Sequence, residues 1–424
     1  MKVLLVNDNS DHPNWGAQAT PLALRHILQA GIPDCEFRAL SWAWIRMDLR
    51  SPRILPLKGL QFRLDAIPHL TYPIGKLTRP VEIYPGVSDD FGWFADEWVA
   101  GRMGRVAEQF LSLARWADVV IYNGENNLFR NTLEGCRSLF LMFLAKTRLG
   151  KTVCSVNHTV HITGVRPIMK AMIQTVLPDL DLVTTRELRS QRMLEGLGVT
   201  NARSSADVVF ALGEERRARQ DVDSWIQRSG LGGTPYACVS ASGLPTSRPR
   251  GEYDGTFTEL VRRLERTLGM PIVLVARDPS LQYLAEVAKR ANSRFFGPEH
   301  HLTELWPLFR QAAVTVTGHF HYAIVAAISG CPFVPLSVVN HKMSGLCEQL
   351  DWQRTEGFDI TRLEPVIDDI CSEARAVVDE GDELRTKLAS RASDLTELAM
   401  STGEWVLEAV ERSQAHAQRP GAAT

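Results

Sequence analysis

TVTGHFHYAIVAAISGCPFVPLSVVNHKMSGL, residues Thr315–Leu346, is the stretch from which the fold of this 424-residue chain is read. An apolar strand over Ala313–Val316 ends in a Gly turn that carries His319 and His321. A helix of small residues follows at Tyr322–Ser329, then a second apolar strand at Phe333–Leu336, then a loop with His341 and Lys342. Continuous apolar runs of this length mark strands covered on both faces, as in a parallel sheet. Ligands of open parallel α/β sheets sit at the carboxyl ends of the strands. The segment therefore sets two imidazoles and an ammonium where an anion would be handled.

The same alternation extends outward in both directions. Val3–Val6 is a strand, followed by a polar loop over Asn7–Gly16 and a helix over Ala17–Ala30. Further strands are expected at Asp34–Leu40, Val119–Tyr122, Thr152–Val156 and Leu182–Thr184. Helices are expected at Arg105–Trp116, Ser138–Leu149, Ile168–Val176 and Glu187–Leu197. Strands alternating with helices argue for a doubly wound parallel sheet. Glu214–Arg228 reads as a charged helix without a strong apolar stripe, and Gly230–Pro235 is turn chemistry. A second series follows it: strands at Tyr236–Ser240 and Pro271–Ala276, helices at Thr256–Leu268, Ser280–Ala291 and Leu302–Gln311. Leu363–Val410 reads as one or two long helices. The expectation is an α/β protein of two Rossmann-like domains, residues 1–228 and 229–424, with mostly parallel sheets facing a cleft. Six prolines between Pro52 and Pro85 make residues 45–98 an irregular insertion with short helices.

Composition excludes several classes. Hydrophobic residues are 45% and charged residues 23%, a globular balance, and the formal net charge is −2. That charge argues against nucleic acid as a partner through the surface as a whole. Seven cysteines are scattered singly with no C-x-x-C pair, which fits reduced thiols and a cytoplasmic location. The apolar runs fall far short of the roughly 20 residues of a membrane helix, so no transmembrane segment is expected, while peripheral contact with the inner membrane face stays open. Oligomeric state is not legible. His319 and His321 are two apart and His158 and His161 three apart, with no neighbouring carboxylate or Cys at a familiar ligand spacing, so no metal is expected.

Several local patterns line up in order. They are Asn14-Trp15-Gly16, Asn123-Gly124-Glu125, the run Val183-Thr184-Thr185-Arg186-Glu187-Leu188-Arg189-Ser190, Leu197-Gly198-Val199 with Ala206-Asp207, and Gly318-His319-Phe320-His321 with Asn340-His341-Lys342. In this order they resemble the polysaccharide pyruvyltransferase family, whose members are similar to glycosyltransferases of the two-Rossmann-domain (GT-B) architecture. The resemblance covers roughly Val3–Leu350, apart from the insertion. It implies transfer of the enolpyruvyl unit of phosphoenolpyruvate, as co-substrate, to sugar hydroxyls of a glycan precursor, giving a pyruvate ketal and phosphate, with no other cofactor. It also implies that His321 is the catalytic histidine, that Arg186 contacts the donor, and that Lys342 is the lysine after the last sheet strand. The family usually carries arginine two residues before the catalytic histidine. Here that residue is His319, and imidazole lacks the bidentate fork of guanidinium.

Read as chemistry, phosphoenolpyruvate is a compact polyanion that needs positive charge and hydrogen-bond donors. Arg186 sits at a strand-to-helix turn, where a helix start adds donors. Lys342 supplies a point charge, and Gly318 and His319 complete the donor side. A protonated His321 donates to the methylene carbon while a sugar hydroxyl attacks, a task for a group whose pKa lies near working pH. Asn14 and Gly16 in the first strand-to-helix loop, Glu125, Asn157 and His158 are candidates for binding the saccharide acceptor, which is lipid- or nucleotide-linked or a cell-surface glycan precursor. Each has a plain structural alternative: a core histidine, a helix-capping ion pair, a solvated loop lysine. Two rival functions stay open. One is a GT-B glycosyltransferase using a nucleotide sugar, which His319 in place of arginine favours. The other is a non-catalytic saccharide-binding protein.

Overall fold

A computed structural model describes residues 1–32, 34–46, 84–125, 128, 132–161, 165–213, 216–241, 250–276, 281–337, 341–353 and 356–417. The part of the expected insertion at residues 47–83 lies outside the described residues, as does Asn340. The chain forms two compact units. The first comprises Met1–His12, Leu24–Ser205 and Met400–Thr424, and the second Pro13–Ala23 and Ala206–Ala399. The expected junction near residue 228 falls inside the second unit.

The first unit is a six-stranded sheet. Its elements are β1 (Lys2–Asp8), α1 (Trp15–Gly31, entered at Leu24), β2 (Glu36–Ser41), α2 (Trp42–Arg46), α3 (Phe91–Val99), α4 (Gly104–Trp116) and β3 (Val119–Asn123). They continue with α5 (Leu133–Thr147), β4 (Thr152–His158), α6 (Pro167–Val176), β5 (Leu182–Thr185), α7 (Leu188–Glu195) and β6 (Ala202–Ser204). The strand order is β2-β1-β3-β4-β5-β6, and every pair is parallel. Val3, Leu4 and Leu5 of β1 are fully buried, as a strand covered by helices on both faces requires. The order reverses between β1 and β3, so their carboxyl ends, Asn7–Asn9 and Asn123–Glu125, flank the switch point where ligands of such sheets bind.

The second unit contains α8 (Arg216–Arg228), β7 (Ala237–Ser240), α9 (Arg250–Leu268), β8 (Ile272–Val275), α10 (Tyr283–Ala291), β9 (Arg294–Phe296) and α11 (Leu305–Gln311). They are followed by β10 (Val314–Thr317), α12 (Phe320–Ile328), β11 (Phe333–Ser337), α13 (Lys342–Gln349), β12 (Phe358–Asp359), α14 (Ile367–Asp379) and α15 (Gly381–Ala417, to Ala399). The strand order is β12-β11-β10-β7-β8-β9, again with every pair parallel. The switch point lies between β7 and β10, which puts the Gly318-His319 turn at it. Two mostly parallel sheets, each flanked by helices, make a GT-B-like α/β fold of two Rossmann-like domains.

Several local expectations are corrected. His341 and Lys342 do not lie in an extended loop: Lys342 opens α13, with His341 as its N-cap. Asn157 and His158 belong to the end of β4 rather than to the loop after it. Helix α8 does carry an apolar seam: Ala218, Val222 and Ile226, four apart, are buried. With Trp225, half-buried against the same core, it makes four apolar residues among nine polar ones, too few to stand out in the sequence. The strands Ala202–Ser204, Arg294–Phe296 and Phe358–Asp359 are edge or near-edge strands of two or three residues. They are too short to show a period.

Candidate functional site

In the second unit, β10 delivers the chain to the sheet's switch point. The Gly318 amide donates to the Ser240 carbonyl at the end of β7, 3.4 Å away, which extends the pairing by one residue. The chain then turns. His319 has extended backbone angles and is the N-cap of α12, whose first amides bond back to its carbonyl, Tyr322 at 3.0 Å and Ala323 at 3.1 Å. Its own amide donates to Thr317 Oγ1 at 3.0 Å.

His321 is in the first turn of α12 and only 4% exposed. Its Nε2 is 3.7 Å from Asp207 Oδ2, and Asp207 is itself buried. The other carboxylate oxygen of Asp207 accepts from the Val209 amide at 2.9 Å, capping the short turn Val208–Ala211. That cap fixes the carboxylate relative to the imidazole. A fixed carboxylate beside an imidazole can orient the ring.

Asn14, Trp15 and Gly16 belong to this unit. Asn14 Oδ1 accepts from the Ala17 amide at 3.0 Å, so Asn14 caps the start of α1, and its Nδ2 is 3.4 Å from His319 Nε2. Trp15 is buried between Trp306 and Tyr322, with ring centroids 5.9 and 5.5 Å away, so it is a packing element. Gly16 lies against the catalytic candidate: a Cβ built on it would stand 1.9 Å from His321 Nδ1. The absence of a side chain is thus what gives His321 its place. The His319 ring stacks on Tyr322 at 4.2 Å, and the Lys342 ammonium is 5.6 Å from the Phe320 ring centroid, a cation–π distance. The structure therefore brings Asn14, Gly16, Gly318, His319, His321 and Lys342 into one unit, around the switch point and the first turn of α12 or against residues that are.

Arg186, Glu125, Asn157 and His158 lie at strand ends of the first unit. Arg186 follows β5 and is 1% exposed; its Nε donates to Thr159 Oγ1 at 2.6 Å and its amide to the His158 carbonyl at 3.0 Å. Glu125 is buried at the end of β3, and Asn9 Nδ2 donates to its Oε2 at 3.3 Å. Asn7 and Asn157 both adopt left-handed φ, 62° and 65°, a conformation asparagine tolerates better than most residues. Asn7 Nδ2 bridges to the Asn123 carbonyl at 2.6 Å and the Asn157 amide donates to Thr184 Oγ1 at 3.1 Å.

His158 was expected at the surface of an acceptor site. It has no exposed area. Its Nε2 is 2.5 Å from Ser155 Oγ, its ring stacks on Tyr122, and a Cβ on Gly124 would stand 2.2 Å from its Nδ1. Burial, and then the Arg186 charge, lower its pKa to about 3, so the ring is neutral. It supports the Gly124 turn from beneath.

Trp98 is likewise buried, within the aromatic cluster of Tyr84, Phe110 and Phe140. Burial pushes the thiols of Cys136 and Cys331 up to about 11 and that of Cys154 up as well, the reverse of activation. Among the described residues no three His, Cys, Asp or Glu side chains cluster as metal ligands, and no helix is long and apolar enough to cross a membrane.

Two residues were not assigned a role from sequence. Asp207 stood out only as part of an Ala-Asp pair, and its partner is 114 positions away in the chain (321 − 207). Asn9 had a signal, an Asn-Asp-Asn run directly after the first strand.

Several solved structures share this fold over nearly the whole chain. A putative UDP-N-acetylglucosamine 2-epimerase from Listeria monocytogenes is 12% identical, with TM-score 0.57, covering 100% of this chain and 99% of that one. A glycosyltransferase from Rickettsia africae is 10% identical, with TM-score 0.55, covering 99% of each. The UDP-GlcNAc 2-epimerase of Neisseria meningitidis, bound to UDP-GlcNAc, is 10% identical, with TM-score 0.52, covering 96% and 100%. At such identities the likeness is one of fold. No curated protein matches the sequence. The polysaccharide pyruvyl transferase family model matches residues 14–341, which span the motifs from Asn14 through His321 to His341. On that match the chain belongs to the polysaccharide pyruvyl transferase family.

Proposed function

We propose that the protein is a sugar-modifying transferase in which His321, oriented by Asp207, is the acid–base group. The observation that carries this reading is the buried His321–Asp207 pair, 3.7 Å apart, at the switch point of the second sheet. A positioned acid or base of this kind contributes about 10²–10⁴-fold.

Two donors fit the pair, each with its own support. A nucleotide sugar is supported by the fold shared with the glycosyltransferase and with the epimerase that binds UDP-GlcNAc, and by His319 where the family resemblance led us to expect arginine. Neutral His321 then takes the acceptor's hydroxyl proton as that oxygen attacks the anomeric carbon and the nucleotide leaves. Phosphoenolpyruvate is supported by the family match. Protonated His321 then gives its proton to the methylene carbon, and an acceptor hydroxyl adds to the adjacent carbon. That hydroxyl's proton returns to the imidazole, and a second hydroxyl displaces phosphate to close the ketal. The structural comparisons lean toward the first donor.

In either case Lys342 and Gly318 are proposed to face the donor. In the first unit, Arg186 is proposed as an anion contact, and Glu125 and Asn157 as contacts to hydroxyls of a lipid- or nucleotide-linked saccharide. A cytoplasmic location and the absence of a metal requirement belong to the same proposal.

The experiment is a product assay with saccharide acceptors, following phosphate release from phosphoenolpyruvate and UDP release from UDP-sugars. Acceptor-dependent UDP release supports the first donor, and acceptor-dependent phosphate release the second. A His321→Ala variant with undiminished turnover on either donor removes His321 from the chemistry.

A further inference from the structure

Of the two imidazoles that follow β10, His319 faces Asn14 and His321 faces Asp207. The Asn14 carboxamide has its orientation fixed by the helix cap: Oδ1 accepts from the Ala17 amide at 3.0 Å. Its other end, the Nδ2 amino group, therefore faces His319 Nε2 at 3.4 Å. An amino group only donates. For this contact to be a hydrogen bond, His319 Nε2 must carry the lone pair, and the proton must be on Nδ1. Protonating His319 would set an N–H against an N–H at the same place.

We propose that Asn14 is a positioning residue that holds His319 neutral, as the Nδ1–H tautomer, beside the acid–base candidate His321. The surrounding charges point the same way. His319 and His321 have ring centroids 6.3 Å apart, close enough for two imidazolium ions to oppose each other. From α13 the Lys342 ammonium sits over Phe320, and on its own helix His319 stacks on the phenol ring of Tyr322. The inference rests on the reading of His321 as the acid–base group and adds the tautomer and charge of the imidazole beside it.

The test is long-range ¹H–¹⁵N correlation spectroscopy of the full-length resting protein across pH, with the His319 signals identified by their loss in His319→Gln. No donor is present, so the result is independent of which reaction the protein performs. In the wild type, His319 is expected as the Nδ1–H tautomer, with the lone pair on Nε2. Asn14→Asp keeps the cap to Ala17 but turns the other end into an acceptor. It should move His319 to the protonated form and raise its titration midpoint by about one to three units. A wild-type His319 carrying its proton on Nε2, or an unchanged midpoint in Asn14→Asp, overturns the proposal.

Discussion

Replacing Gly16 with alanine is the sharpest perturbation of the site that leaves every functional group in place. Gly16 is the second residue of α1 and is not among the residues with left-handed φ, so alanine fits its backbone. In a helix interior that exchange by itself stabilises by about 1 kcal/mol, an upper bound for a first-turn position such as this one. The new methyl, however, would sit 1.9 Å from His321 Nδ1, 2.6 Å from its Cγ and 2.9 Å from its Cε1. An ordinary contact needs about 3.5 Å, so the ring must retreat by about 1.5 Å. Space for that is short. His321 is 4% exposed, its Nε2 faces Asp207, and Phe320 lies edge-on at 5.2 Å. Overpacking of this kind costs about 1–3 kcal/mol, which offsets or outweighs the helix gain. A misplacement of about 1 Å in a reacting group costs about 100-fold in rate. The expected result is a folded protein, neutral to about 2 kcal/mol less stable by urea unfolding, with turnover down about 100-fold or more. A Gly16→Ala protein that keeps full turnover, or one about 1 kcal/mol more stable than wild type, would refute the placement of His321 against α1.

The first unit supports three further expectations. Gly124→Ala sets a methyl 2.2 Å from His158 Nδ1, beneath a ring with no exposed area; urea unfolding should show a loss of about 1–3 kcal/mol. His158 also makes stability depend on acid. Its folded pKa is about 3, against about 6.5 in the unfolded chain. Between those values the unfolded chain binds a proton that the folded one refuses. Its contribution is therefore intact above about pH 6.5 and is lost as pH falls toward 3, at up to about 1.4 kcal/mol per pH unit. Urea midpoints measured down that range should fall more steeply in the wild type than in His158→Gln. Glu125→Gln, which keeps the shape and the neighbour Asn9, should raise the KM for the saccharide acceptor by about tenfold, the worth of one hydrogen bond to a charged group, and leave donor KM unchanged. Equal acceptor KM values in variant and wild type would remove Glu125 from acceptor binding.

The sheets were legible because their strands are buried on both faces, and a run such as Val3–Val6 has few other readings. The turn at Gly318 with its two histidines was legible for the same reason, since a strand must end before a helix begins. What escaped was everything decided by distance along the chain. That Asn14 and Gly16 lie with His321 depends on a segment of eleven residues, Pro13–Ala23, belonging to the second unit although β1 before it belongs to the first. No local pattern carries that information. Asp207 was missed because a carboxylate acquires its role only from the imidazole it meets. His158 reads from sequence as an acceptor contact because polar residues after a strand usually face solvent. Its burial follows from Gly124, which leaves room for a ring where any other residue would fill it.

The measurement that bears most directly on the central claim is a double-mutant cycle on turnover with His321→Ala, Asp207→Asn and both together, in the product assay that shows wild-type activity. If Asp207 acts through His321, the single variants lose about 10²–10⁴-fold and the double variant is no slower than His321→Ala alone. Full turnover in folded His321→Ala, or losses that simply multiply in the double variant, would contradict it.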